Sequence, residues 1–323
     1  MHRYRKYIFD ESIFDEELTI KHLKLVLKWL EKNEFNPDLE IFSGELFAQE
    51  VGFKVLDVLY EYEANISEDL RSQEIMIPTN FTFLNSKELS DRIENMKNKF
   101  WDLGVRLHLS ASFDGFYMEE NRPYTKELDF PINTFRDTEY YDKVFAYCKK
   151  NTCGLHPMVY SKNIEKWKDN FLWFQENMAK NEIPWDFLYL LQVRNEEWNQ
   201  EQLKELEYFI DFLYSWVYEK LNGNINEMVD FIVRGHGFNI LGQPFAKTNR
   251  GMTCAIQSHL TVRLSDLMVY PCHRLGYKHY YYGQFIEDSN EILKYINNNA
   301  ELMIAVYGAD KAAMPTCSYC GIN

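Results

Sequence analysis

Two hydrophobic periods alternate along this chain, and that alternation restricts the fold more than any single motif. Short apolar or β-branched runs at 39–42, 75–78, 106–112, 156–160 and 187–193 read as strands. Between them lie longer stretches of helical period. In 17–32, Ile20, Leu23, Leu27 and Leu30 fall on one face, with Lys21, Lys24, Lys28 and Lys32 on the other side. Ser86 stands where an N-cap belongs before Leu89, Ile93, Met96 and Phe100, and Trp167, Phe171, Phe174 and Met178 mark a further helix. The stretch 201–221 repeats the pattern with Leu206, Phe209, Leu213 and Trp216. Strand followed by amphipathic helix, repeated, predicts an α/β fold built on a parallel sheet. The helical aromatics belong to its core.

Parallel α/β sheets bind ligands at the carboxyl ends of their strands, so the residues just after each run matter most. Those ends are polar: Ser43-Gly44-Glu45 after the first, Thr79-Asn80 after the second, Ser112-Phe113-Asp114-Gly115 after the third, and Ser161-Lys162-Asn163 after the fourth. Taken singly, each is also ordinary turn chemistry. His108 alternates within a strand and reads as a structural residue. Arg234-Gly-His-Gly237 reads as a loop.

Cysteine placement divides the chain. Cys148 and Cys153 lie mid-chain at a helix end and loop, without companions, whereas Cys254, Cys272, Cys317 and Cys320 all fall in the last quarter. A boundary near residue 245 is expected, separating 1–245 from 246–323. The C-x2-C pair Cys317 and Cys320 can turn two thiolates toward one metal, and Cys254 and Cys272 bracket a predicted hairpin formed by 259–264 and 268–271. Four thiolates fit a tetrahedral zinc or an iron-sulfur cluster, and spacing does not choose between them.

Charge and composition exclude other classes. The formal net charge of -14 repels phosphate backbones and anionic lipid, so no nucleic-acid or membrane partner is expected. No run approaches the roughly 20 apolar residues of a membrane span, and no signal core follows Met1, which makes the cytoplasm the expected location. G-x-S-x-G, Walker A and H-E-x-x-H motifs do not occur.

Taken together and in order, these segments resemble a radical S-adenosylmethionine (SAM) enzyme of the SPASM group, which includes anaerobic sulfatase maturases and peptide maturases. Leu39-Glu-Ile-Phe-Ser-Gly-Glu45 resembles that group's Gly-Gly-Glu-Pro segment, Thr79-Asn80 its Thr-Asn-Gly turn, and Ser110-Ala-Ser-Phe-Asp-Gly115 its Ser-(Ile/Leu)-Asp-Gly turn. Arg122 and Asn163 stand where the group has an arginine and an asparagine. Val269-Tyr-Pro-Cys272 with Cys254 resembles its auxiliary-cluster hairpin, and Cys317-x2-Cys320 the start of its second cysteine cluster.

The resemblance implies a partial (β/α)6 TIM-like barrel missing its first strand, followed by a small cysteine-rich SPASM-like extension. It implies a [4Fe-4S] cluster, S-adenosylmethionine cleaved reductively to a 5'-deoxyadenosyl radical, an external electron donor, and a peptide or protein substrate. Ser43, Gly44, Glu45, Asn80, Ser112, Asp114, Arg122 and Asn163 would form the SAM site, with Glu45 accepting from the ammonium and Arg122 facing the carboxylate. Cys254, Cys272, Cys317 and Cys320 would ligate the auxiliary cluster. The group's C-x3-C-x2-C triad occurs nowhere in these 323 residues. The expectation is therefore that an amino-terminal piece carrying it, and the end of the SPASM region, lie beyond this sequence. Phe81 and Leu267 also replace glycines of the group's turns. The alternative is a non-catalytic accessory or binding module with a structural four-cysteine metal site.

Overall fold

A computed structural model describes residues 15–42, 45–119, 138–192, 198–234, 260–270 and 282–285. Its described elements alternate as expected, and they group into two compact units. One takes the described residues up to Leu109 together with the strands between 260 and 285. The other takes those from Ser110 to Arg234.

In the first unit, α1 (Glu16–Lys32) is capped by Asp15, whose side chain accepts from the Leu18 N–H at 2.9 Å. It leads to β1 (Leu39–Glu40), α2 (Glu50–Asn65), β2 (Glu74–Thr79), α3 (Lys87–Asp102) and β3 (Arg106–Ala111). The three strands form one sheet in the order β1-β2-β3, with β1 and β2 parallel and Leu39 opposite Ile75. Along β2, Ile75, Ile77 and Thr79 are buried and alternate with half-buried neighbours, the period of a pleated strand. Ser86 caps α3 as expected, accepting from the Leu89 N–H at 3.3 Å.

The predicted hairpin is present as β6 (Thr261–Arg263) and β7 (Met268–Tyr270), with β8 (Gly283–Gln284) added to it. It packs on α1: Leu267, Val269 and Phe285 close around Trp29, and the His22 ring nitrogen meets the Leu264 carbonyl at 2.6 Å. Leu267 sits at φ 59, the left-handed conformation a glycine would take at no cost. Strain of about 1–2 kcal/mol is offset because the side chain is buried against Trp29.

The second unit continues with α4 (Thr138–Asn151), β4 (Met158–Val159), α5 (Trp167–Lys180), β5 (Leu191–Gln192), α6 (Gln200–Lys220) and α7 (Ile225–Arg234). β4 and β5 are parallel, and single parallel bridges place Leu155 between Ala111 and Leu188. The predicted faces meet: Phe171 of α5 packs edge-on against Phe212 and Trp216 of α6, with ring centroids 5.8 and 4.9 Å apart. No described helix is long and apolar enough to cross a membrane.

Four helices hand the chain to a strand in one way. At the ends of α1, α3, α4 and α5, a residue at positive φ (Glu34, Gly104, Thr152, Glu182) reverses the chain. The next N–H then bonds back to the carbonyl five residues earlier: Phe35 to Leu30, Val105 to Phe100, Cys153 to Cys148 and Ile183 to Met178, at 2.8–3.0 Å. This is the Schellman closure, which satisfies carbonyls the helix leaves open and brings those two side chains together.

Glu63, on α2, is fully buried. Its Oε2 accepts from the Ser72 N–H at 3.0 Å while Oε1 has no partner, and burial raises its pKa. Because the folded state favours the protonated acid, stability is greatest below the ordinary carboxylate pKa and falls as pH rises through the raised one. Glu63→Gln should therefore match the parent near pH 4 and exceed it by about 1–3 kcal/mol at pH 8 in urea unfolding. An equal difference at both pH values would show that Glu63 does not titrate in this window. Leu267→Gly should lower stability by about 1–3 kcal/mol, since the lost burial outweighs the relieved strain; a gain in stability would reverse that ordering.

Candidate active site

In the first unit, the candidate residues gather at the carboxyl ends of β1 and β2. The Glu45 carboxylate accepts the Thr79 hydroxyl on Oε1 and the Asn80 N–H on Oε2, each at 2.8 Å. The Thr79 hydroxyl in turn accepts from the Phe81 N–H at 3.1 Å, and Asn80 Oδ1 accepts from the Thr82 N–H at 3.0 Å. These bonds fix the turn after β2 with Phe81 at φ 60. The glycine conformation of the Thr-Asn-Gly turn is thus kept by a phenylalanine, fully buried and packed 5.5 Å from Phe83. Burying that ring offsets the cost of the left-handed backbone.

Glu45 keeps partial exposure as a residue, yet its carboxyl group is enclosed, and desolvation raises its pKa against the lowering effect of the Asn80 and Thr79 hydrogen bonds. Among the described residues, no lysine, arginine or histidine makes an ion pair with it. A carboxylate braced by such donors, with no described lysine, arginine or histidine paired to it, is suited to receive an ammonium group.

In the second unit, the turn after β3 is held from two sides. Asp114, buried, accepts the Met158 N–H on Oδ1 at 2.8 Å, tying the turn to β4. Asn170 of α5, also fully buried, donates to the Asp114 carbonyl at 2.8 Å and accepts from the Tyr117 N–H at 3.1 Å. Gly115 lies between them at φ 95, where a Cβ would come within 2.6 Å of Asn170 Oδ1. Ser112 stands at the head of this turn, half-buried. Asn163, after β4, sits at φ 60, with Oδ1 3.5 Å from the Lys166 ammonium and Nδ2 buried without a partner. Sequence reasoning assigned Asp114 to the site and missed Asn170; a buried asparagine in an aromatic helix face was the available signal.

Ser43, Gly44 and Arg122 lie outside the described residues, as do Cys254, Cys272, Cys317 and Cys320. Among the described residues, no group of three or more His, Cys, Asp or Glu side chains is arranged to hold a metal ion. His108 is structural, with Nδ1 3.2 Å from Glu74 Oε1.

The sequence matches no family profile and no curated protein. Among solved structures, the chain is similar to an anaerobic sulfatase-maturing enzyme, anSMEcpe, solved with bound AdoMet. The TM-score is 0.57 at 19% identity, over 89% of this chain and 70% of that one. At that identity the likeness is one of fold: a mixed α/β arrangement shared with a radical SAM enzyme.

If Asn170 fixes the turn after β3, Asn170→Leu leaves one buried and one half-buried main-chain group unpaired and should cost about 2–4 kcal/mol in urea unfolding. Asp114→Asn keeps an acceptor for the Met158 N–H and should cost about 1 kcal/mol. Equal costs for the two would contradict this division of roles.

Proposed function

We propose that the chain is a radical SAM/SPASM-type protein that binds S-adenosylmethionine at the strand ends and serves the modification of a peptide or protein. The observation that carries this reading is the enclosed Glu45 carboxylate, braced by Thr79 and Asn80 and without a described counter-cation. The shared fold with an AdoMet-bound enzyme supports it. In this reading the five described β/α units belong to a partial (β/α)6 barrel, and the β6–β7 hairpin opens a SPASM-like extension from about residue 246.

The enclosed Glu45 carboxylate fits the cationic end of S-adenosylmethionine. Glu45 would hold its ammonium. The resemblance assigns Asn80, Ser112 and Asn163 to its polar edges and Arg122 to its carboxylate, and Asn163 carries a buried Nδ2 donor without a partner. When bound together, S-adenosylmethionine and a [4Fe-4S] cluster supply a 5'-deoxyadenosyl radical, using an electron from an external donor. The described residues hold no set of cluster ligands, so the chemistry assigned to them is binding and orientation.

Calorimetric titration with S-adenosylmethionine tests the reading. The parent chain should bind, and Glu45→Gln should weaken binding at least about tenfold, the loss of one charge-assisted hydrogen bond. Because only the ionised carboxylate pairs with the ammonium, and burial raises the Glu45 pKa, the affinity of the parent should fall as pH drops toward 5 while that of Glu45→Gln stays flat. Equal affinity for both proteins would overturn the assignment. Binding without 5'-deoxyadenosine from the reconstituted protein would assign the chain to the alternative, an accessory or binding module.

A further inference from the structure

We propose that Cys148 and Cys153 form a reversible dithiol–disulfide pair that takes a small disulfide of the glutathione class as its oxidant. The Schellman closure of α4 is what brings them together. The Cys153 N–H donates to the Cys148 carbonyl at 3.0 Å, the Thr152 N–H approaches the Lys149 carbonyl at 3.5 Å, and Thr152 stands at φ 53. In α1, α3 and α5 the two side chains that this closure brings together are Leu30 with Phe35, Phe100 with Val105, and Met178 with Ile183. Those pairs can only pack. In α4 the same two positions carry thiols, both free and buried, and the Cys153 thiol also lies 3.8 Å from the Asn151 carbonyl.

Two cysteines joined across such a closure meet the proximity that an S–S bond of about 2.05 Å requires. A metal site is the competing use of two thiols. Among the described residues, no third His, Cys, Asp or Glu group joins them, which favours the disulfide. Both residues are buried, at 1% and 2% exposure, and the neighbouring Cys153 thiol together with burial pushes the Cys148 thiol pKa well up. Reaction therefore awaits opening of the last turn of α4, the part of a helix that frays first.

The step balances as thiol–disulfide exchange. One cysteine thiolate attacks a sulfur of glutathione disulfide, breaking its S–S bond and releasing one glutathione thiolate, which takes the proton. The second cysteine attacks the mixed disulfide, forming the Cys148–Cys153 bond and releasing the second glutathione. Two electrons pass from the cysteine pair to the oxidant, and two protons leave on the two glutathione thiols. The product pins the joint between α4 and the next strand. Just beyond it, the Gly154 carbonyl accepts from Ala111 at 3.2 Å and the Leu155 N–H donates to Phe187 at 2.9 Å.

Lys149 and Lys150 make the test direct, because trypsin cleaves between the two cysteines. The native full-length chain is incubated with glutathione disulfide, acid-quenched, alkylated, digested and analysed by mass spectrometry. The expected product is peptide 144–149 joined to peptide 151–162 by a disulfide, reversed by dithiothreitol. In Cys148→Ser, Cys153 should appear as its glutathione adduct with no linked peptide. The melting midpoint of the oxidised parent should equal or exceed that of the reduced form. Recovery of both cysteines alkylated, of stable glutathione adducts on the parent, of either cysteine joined to another, or a lower midpoint on oxidation would each overturn the pairing.

Discussion

A single left-handed residue at the end of α1, α3, α4 and α5 decides where each following strand begins. Without that reversal the helix carbonyls would stay open, and the chain would leave along the helix axis instead of turning into the sheet. Only one of the four residues is glycine, Gly104; Glu34, Thr152 and Glu182 adopt the same conformation at a cost of about 1–2 kcal/mol each. The contacts that offset this cost are local, a side chain of the last turn pressed on one just beyond it. The same economy recurs at Phe81 and Leu267, where buried side chains hold backbone conformations that glycine would adopt freely.

Polar bonding at the strand ends differs between the two units. Glu45, Thr79 and Asn80 form a network with spare acceptor capacity on a carboxylate, which suits a cationic ligand group. Asp114 and Asn170 bond to main-chain groups, and those bonds shape the turn after β3.

The sequence revealed those parts of the fold where hydrophobic period and local chemistry agree. The stripe of α1, the Ser86 cap of α3, the aromatic faces of α5 and α6, and the β6–β7 hairpin all follow from residue spacing. Helix α2 was not legible, because Val51, Val55 and Val58 carry strand propensity that tertiary packing overrides, and of α4 only the end at Cys148 was read, since Tyr140, Tyr141 and Val144 mask the rest in the same way. Gly52 hid α2 further: it reads as a helix breaker, yet a Cβ there would lie 1.9 Å from the Leu46 carbonyl oxygen. Helix ends were illegible where Glu or Thr takes the glycine position. Strand-end position pointed to Glu45 and Asn80, which the structure joins by a hydrogen bond, while the role of Asn170 depends on contacts 53 and 56 residues away in sequence. The pairing of Cys148 with Cys153 was hidden too, since it depends on the backbone reversal at Thr152.

In the proposed reading, recognition of S-adenosylmethionine comes down to which ligand group meets Glu45. A crystal structure of the full chain with S-adenosylmethionine measures that contact directly. The ligand ammonium should lie about 2.7–2.9 Å from the Glu45 carboxylate, with Thr79 and Asn80 still bonded to it. An ammonium seated elsewhere, or a Glu45 carboxylate left without the ligand, would contradict it.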